Sequence, residues 1–278
     1  MKPRVCAAPE LGVALFVFIV ALALIVLPSH ARAQGTCSAT ADSDGDGLTD
    51  AQECLGLTLP QGITLLDGTN FVPSCLISPS PRSNCLDPNT KDVFVIVVPA
   101  AAGSLLPPNL FANVTYYGVT FNGLADLGIT VHQITSTAGR AVTSTQNAVR
   151  ITESRDTSDT ILGVCNWGTP NDLDGCVVYT QRAKNFIDSV CNSVGDTTTD
   201  RTAVLNAYAV HTVLHETGHT LGGMTGSYSK RYGGNHYAPD TGLIMEQSET
   251  YSTKNGVCSW NISARWNLTL DPASVRLK

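Results

Sequence analysis

Eight cysteines constrain the fold of this chain more than any other feature. They stand at positions 37, 54, 75, 85, 165, 176, 191 and 258, and a ninth, Cys6, lies in an apolar N-terminal segment. An even set is typical of disulfide-bonded proteins from oxidising compartments. Since eight cysteines can pair in about 105 ways, the sequence predicts a cross-linked fold without fixing its connectivity.

The first 33 residues have the order of a secretory signal peptide. Basic residues near the N-terminus precede an apolar run over 11–27, and small residues follow at Ala31 and Ala33. We expect cleavage after Ala33 and a secreted, extracellular product, and the loss of Cys6 then leaves the even set. The alternative is a retained membrane anchor, but the apolar run is at the short end for spanning a bilayer. We therefore expect no stable membrane association once the signal is removed.

The charge of the chain excludes one class of partner. Its formal net charge is −6, and the signal segment removes more basic than acidic residues. An acidic chain of this kind is not expected to bind nucleic acid or an anionic membrane surface. The sequence gives no indication of the oligomeric state.

The composition and the hydrophobic pattern of the sequence change near residue 90. Residues 34–90 are rich in turn formers and cysteines, whereas apolar runs of strand length begin at Asp92. We therefore expect an α+β fold with a small disulfide-rich segment over 34–90 and a larger domain over 91–278. The predicted strands lie at 92–98, 113–119, 128–134, 147–153 and 176–181, a short helix at 182–191, and a long helix from Thr199 or Asp200 to Gly222.

The N-terminal segment contains the motif DSDGDGLTDAQE over 42–53. Its acidic residues occupy loop positions 1, 3, 5, 9 and 12, as Asp42, Asp44, Asp46, Asp50 and Glu53. Gly47 stands at position 6, where the chain must turn sharply, and Leu48 offers a backbone carbonyl at position 7. The motif resembles the calcium loops of thrombospondin type 3 and dockerin repeats, which implies a bound Ca²⁺. Cys37 and Cys54 flank this acidic loop, and a disulfide between them would clamp its base.

The long predicted helix contains the motif HETGH. His215 and His219 lie one turn apart on one helix face, so both imidazoles can bind one zinc ion, and Glu216 beside them is placed to act as a general base. His211 stands one turn earlier. Three histidines at this spacing span about 12 Å, too far for metal bonds of about 2 Å to converge. We expect His211 to be a packed residue or one that contacts a zinc ligand, and His132 to be structural.

The pattern HETGHTLG followed by GLIM at 242–245 resembles the metzincin clan of zinc endopeptidases. The resemblance implies a mixed twisted sheet, an active-site helix with His215 and His219 as zinc ligands, a chain reversal at Gly222 and a Met-turn at Met245. It also implies a zinc metalloendopeptidase that acts on protein or peptide substrates. In such an enzyme a zinc-activated water attacks the peptide carbonyl, and Glu216 passes the proton to the leaving amine.

The third zinc ligand departs from the pattern of that clan. The usual position, three residues after Gly222, is occupied by Thr225, a poor ligand for zinc. We expect His236 instead, because it precedes Met245 by nine residues, which resembles the spacing of third ligand and Met-turn in matrixin-like members, and lengthening a loop costs only about 0.6 kcal/mol per doubling. The alternatives are carboxylates downstream: Asp240, or, in a gluzincin-like arrangement, Glu246 or Glu249.

A second class of function fits the same motifs. The chain could be a calcium-dependent extracellular binding or adhesion module whose zinc site is structural or vestigial. A structural zinc site is closed by four protein ligands, whereas a catalytic site keeps a position for water. The number of protein ligands therefore separates the two hypotheses.

Overall fold

A six-stranded mixed sheet forms the centre of the structure. The structure is a computed structural model, and it describes residues 37–77, 85–165, 175–221, 243–245 and 250–266. The expected signal peptide and the expected ligand His236 lie outside the described residues, as do Gly222, Thr225 and Asp240. In chain order the elements are α1 (Asp50–Leu55), β1 (Leu57–Thr58), β2 (Ile63–Leu65), β3 (Phe71–Val72), β4 (Lys91–Val98), β5 (Val114–Tyr116), β6 (Val119–Phe121), a 3₁₀ helix (Gly123–Leu127), β7 (Ile129–Ser136), β8 (Val149–Ser154), β9 (Gly163–Cys165), β10 (Cys176–Tyr179), α2 (Thr180–Ser193), α3 (Arg201–Thr220), β11 (Thr250–Lys254) and β12 (Val257–Asn261).

The order of the strands in the sheet is β2-β7-β4-β8-β10-β9. The four inner strands are parallel, and β2 and β9 run antiparallel at the two edges. Strand β4 is the predicted DVFVIVV run, and its residues from Val93 to Ile96 are buried, as expected for a strand covered on both faces. The fold is therefore mixed α+β, as the sequence predicts.

Two predicted strands end earlier in the structure than expected. The expected strand over 113–119 is a hairpin of β5 and β6, because Tyr117 and Gly118 both have positive φ (51° and 72°) and reverse the chain. The expected strand over 176–181 ends at Tyr179, where α2 begins and extends past the predicted 182–191. The short strands β1, β2, β3 and β9 and the β11–β12 hairpin were not predicted.

The N-terminal segment is built into the sheet. Its strand β2 pairs with β7, placing Leu65 opposite Ile134. Leu48 of the acidic loop is fully buried in a core that also contains Phe94 and Ile96 of β4. The expected boundary near residue 90 therefore divides two stretches of sequence whose side chains share one core.

Four disulfides join the eight described cysteines: Cys37–Cys54, Cys75–Cys85, Cys165–Cys176 and Cys191–Cys258. The first closes the base of the acidic loop, as expected. The third joins β9 to β10, and the fourth joins α2 to β12. In the part of the chain that the structure describes, no helix is both long and apolar enough to cross a bilayer.

The long helix α3 is buried continuously from Ala207 to His219. Its N-cap is Asp200, whose carboxylate accepts hydrogen bonds from the backbone N–H groups of Thr202 and Ala203. The loop before the helix is fixed by the buried Asp196. This carboxylate accepts bonds from the Thr199 hydroxyl (2.6 Å) and the Cys258 backbone N–H (2.9 Å), so it joins the start of α3 to β12.

The bonds to Asp196 predict a pH-dependent contribution to stability. The Thr199 hydroxyl, together with backbone N–H donors, holds the pKa of Asp196 below its ordinary value of 3.8. A carboxyl whose pKa is lower in the folded state stabilises that state above the unfolded pKa, and the contribution disappears as pH falls through the folded pKa. Asp196→Asn should therefore lower the melting temperature at pH 7, and the difference from wild type should shrink as pH falls below 3.8.

The measurement is a series of thermal melts between neutral and strongly acidic pH. Asp159→Asn is the control, since Asp159 is exposed, and it should melt like wild type throughout. A difference between Asp196→Asn and wild type that stays constant down to the lowest pH would contradict the assignment.

Candidate metal centres

The two histidines of the HETGH motif face each other near the end of α3. Their Nε2 atoms are 3.1 Å apart, and both rings are buried. Two nitrogen ligands at about 2.0–2.1 Å from one tetrahedral zinc ion are about 3.4 Å apart. The spacing of His215 and His219 therefore fits chelation of a single ion. Together with Glu216 they form what we call the histidine centre.

A backbone carbonyl fixes the tautomer of His215. Its Nδ1 lies 2.7 Å from the carbonyl oxygen of Ile244. A carbonyl can only accept, so Nδ1 carries the proton, and the Nε2 of the neutral ring directs its lone pair toward His219. This is the tautomer that a metal ligand requires. Binding of one metal by both rings would require both Nε2 atoms to be free of a proton.

The segment 243–245 packs beside the histidine centre. Ile244 and Met245 are fully buried in a turn, and the Ile244 N–H donates to the Arg265 carbonyl oxygen (2.8 Å). Met245, singled out in the sequence, therefore lies directly after the residue that holds His215. Ile244 could not be predicted from its residue type, because it acts through its backbone carbonyl.

Glu216 is buried against the edge strand β9. A Cβ atom at position 163 would lie 2.8 Å from the Cδ of Glu216, so only a glycine leaves room for this side chain. Burial raises the pKa of Glu216 to about 8. Both sulfur atoms of Cys165–Cys176 lie within 3.2 Å of the Glu216 carbonyl oxygen, but as a disulfide they offer no thiolate to a metal. No sequence pattern pointed to Gly163.

Two further histidines singled out in the sequence, His211 and His132, are both buried and hydrogen-bonded. His211 is buried with its Nδ1 2.9 Å from the Ser263 carbonyl oxygen, and its ring packs 5.7 Å from that of His215. His132 is fully buried in β7, and its Nε2 lies 2.7 Å from Oδ1 of Asp92.

The acidic loop is folded around its own carboxylates. Oxygens of Asp42, Asp44 and Asp46 lie within 4.8 Å of one another. Asp42 accepts a hydrogen bond from the Gly45 N–H (2.7 Å), and Gly47 adopts φ +95°, the left-handed region that the sharp turn requires. The structure therefore brings the first three predicted ligands together.

A second group of carboxylates lies next to the first. Oxygens of Asp46, Glu53 and Asp92 are within 4.8 Å of one another, and all three residues are buried; we call them the acidic cluster. Burial, reinforced by neighbouring carboxylates, raises the pKa of Asp46 to about 8 and that of Glu53 to about 10. Asp92 was not predicted to belong here, because only the fold brings the start of β4 to the loop.

Asp50 and Leu48 stay predicted ligands. Both carboxylate oxygens of Asp50 accept hydrogen bonds from Ser43, one from the backbone N–H (2.8 Å) and one from the hydroxyl (2.9 Å). The side chain of Asp50 is thus turned toward Ser43. Leu48 buries its side chain and donates its N–H to Asp46 (2.7 Å).

The contact between β9 and Glu216 predicts a steric penalty. Gly163→Ala should lower the free energy of unfolding by about 1–3 kcal/mol, the usual cost of overpacking a buried site. Val164→Ala on the same strand should stay within about 0.5 kcal/mol of wild type, because that side chain is partly exposed. Urea unfolding with the disulfides intact measures both.

A double-mutant cycle isolates the contact. Combining Gly163→Ala with Glu216→Ala should remove most of the penalty, with a coupling energy of about 0.5–3 kcal/mol. Additive effects of the two substitutions would show that the added methyl group does not meet Glu216.

Comparisons of the chain with protein-family models, with curated proteins and with solved structures give no match. A function can therefore be inferred only from the residues of the histidine centre and of the acidic loop.

Proposed function

We propose that this chain is a secreted zinc-dependent endopeptidase with a metzincin-like active site. The observation that carries the proposal is the pair of Nε2 atoms 3.1 Å apart on one buried helix, on which Glu216 directly follows His215. The mixed sheet with an antiparallel edge strand next to α3 supports it, as does the burial of Met245 in a turn next to His215. Four disulfides support export, since such bonds persist in oxidising compartments.

The chain would hold zinc through Nε2 of His215 and Nε2 of His219. The expected third ligand, His236, lies outside the described residues. A zinc ion supplies Lewis acidity, which lowers the pKa of a coordinated water and polarises a substrate carbonyl. The hydrogen bond from His215 Nδ1 to Ile244 fixes the orientation of the first ligand before any metal binds.

Glu216 would move the proton during hydrolysis. Its carboxylate is buried against Gly163 of β9, and a positive ion held by His215 and His219 on the same helix would favour the charged form that can accept a proton. It would take a proton from the attacking water and give it to the leaving amine. Strand β9 lies against Glu216 and, within the described residues, pairs only with β10. Its other edge offers backbone groups with which an extended peptide could pair.

The acidic loop would hold a calcium ion with a structural role. Asp42, Asp44, Asp46 and Glu53 supply hard oxygen ligands, and the segment around them is too polar to stabilise itself by burial alone. The disulfide Cys37–Cys54 at its base already restricts the loop.

Substitution of Glu216 separates catalysis from metal binding. Glu216→Gln should keep about one zinc per chain but lower the hydrolysis of an unfolded protein by about 10²–10⁴-fold, because only the proton transfer is lost. Zinc is measured by elemental analysis and hydrolysis by the release of new amino groups. Wild type stripped of zinc by a chelator and then reloaded is the control.

Two results would contradict the peptidase proposal. One is a zinc-loaded wild type that hydrolyses no peptide bond, which would favour the binding or adhesion module. The other is a Glu216→Gln variant as active as wild type.

The third ligand is identified by comparing two positions. His236→Ala should weaken zinc binding by more than about 100-fold, since even partners outside the ligand set alter affinity 10–100-fold. Thr225→Ala should bind zinc like wild type. Competition with a fluorescent zinc chelator measures both affinities. The reverse result would reject His236, and loss of affinity in Asp240→Ala alone would assign the role to that carboxylate.

A further inference from the structure

Glu53 is the least satisfied charged side chain of the acidic loop. It lies in α1, is fully buried, and neither of its carboxylate oxygens has a hydrogen-bond partner among the described residues. Burying an unpaired carboxylate is costly, so buried carboxylates in proteins are hydrogen-bonded, paired with a cation or bound to a metal. The position of Glu53 therefore indicates a site for a cation.

The neighbours of Glu53 add negative charge instead of compensating it. Oxygens of Asp46 and Asp92 lie within 4.8 Å of a Glu53 oxygen and of each other. Asp46 accepts the Asp92 N–H (2.6 Å), so these two residues are joined directly. The basic side chain of Lys91 is turned to the carbonyl oxygen of Asp44. The cation must therefore reach three carboxylates at once.

The spacing of these oxygens suits Ca²⁺. Calcium takes six to eight oxygen ligands at about 2.3–2.6 Å, so two oxygens on one ion are at most about 5 Å apart. The three carboxylates of the acidic cluster meet this condition. Two of them, Asp46 and Glu53, belong to the calcium motif, whereas Asp92 belongs to the central strand β4.

Two side chains hold Asp92 in place. His132 lies 2.7 Å from its Oδ1, fully buried and packed against the ring of Phe94. Gln146 donates from one amide group to the carbonyl oxygens of both Asp46 (3.0 Å) and Asp92 (2.7 Å). The loop and the strand are thus held at a fixed separation. Carboxylate ligands are commonly oriented by hydrogen bonds of this kind.

We propose that Asp92 is a ligand of the calcium ion of the acidic loop, so that one cation joins the loop to strand β4. The inference rests on the calcium site proposed above and extends it beyond the motif. The ion then stabilises the docking of the N-terminal segment on the sheet as well as the loop itself.

Calcium titration of the full secreted chain tests the proposal. After treatment with a chelator, the protein is titrated with calcium chloride in a calorimeter and melted in calcium and in chelator. Asp92→Asn should bind calcium at least ~10-fold more weakly and lose most of the calcium-induced rise in melting temperature. In chelator it should melt at or above wild type, because one charge has left a crowded acidic cluster. Glu53→Gln should behave in the same way.

A matched control separates a ligand from a merely structural carboxylate. Glu153 is a buried glutamate on β8 whose carboxylate accepts bonds from Ser104, Leu105 and Thr180, away from the acidic cluster. Glu153→Gln should melt lower in calcium and in chelator alike, with the calcium-induced rise unchanged. If Asp92→Asn gave this pattern instead, Asp92 would be structural and the proposal would be wrong.

Two further outcomes distinguish the calcium site itself from the role of Asp92 in it. If the wild type binds no calcium, the proposed calcium site itself is rejected. If Asp92→Asn binds calcium like the wild type, only the role of Asp92 as a ligand is rejected. Asp92→Glu covers the case in which the asparagine variant does not fold. It keeps the charge but displaces the oxygens, so it too should bind calcium more weakly, and binding like that of wild type would overturn the proposal.

Discussion

Strand β4 is the element on which both candidate metal centres depend. Successive side chains of a strand point to opposite faces of the sheet. Val93 and Val95 therefore enter the core that contains α3, whereas Phe94 and Ile96 enter the core that contains Leu48 of the acidic loop. The apolar residues of β4 thus lie between two cores and contribute side chains to both. The histidine centre lies on one side of the sheet's centre, and the acidic loop docks on the other.

The histidine centre is assembled from parts that are far apart in the sequence. Helix α3 supplies the side chains, β9 leaves the space for Glu216, and the turn at 243–245 holds His215 through a carbonyl group. A disulfide secures one of these parts, since Cys165–Cys176 joins β9 to β10. In the function we propose, such support matters because a catalytic base must keep its position relative to the metal ligands.

The sequence predicted what depends on local pattern. Short stretches of the sequence show four such features, and the structure contains them all. They are the helical period of α3, its cap at Asp200, the buried run of β4 and the glycine turn of the acidic loop. It did not predict Gly163, Ile244 or Asp92, because each contributes through a contact made only by the fold. The β11–β12 hairpin was missed although its turn, Asn255-Gly256 with positive φ at both residues, is a recognised local signal. The role of His236 stays a prediction.

The disulfide between Cys191 and Cys258 closes a ring of the chain with a sequence separation of 67 residues. The ring includes all of α3 as well as His236 and Met245. A single cut of the backbone inside the ring would therefore leave both fragments on one covalent molecule. The parts of the histidine centre would stay tethered at high effective concentration and could reassemble without a bimolecular encounter. A cut of the backbone within this ring would therefore not by itself separate the parts of the histidine centre.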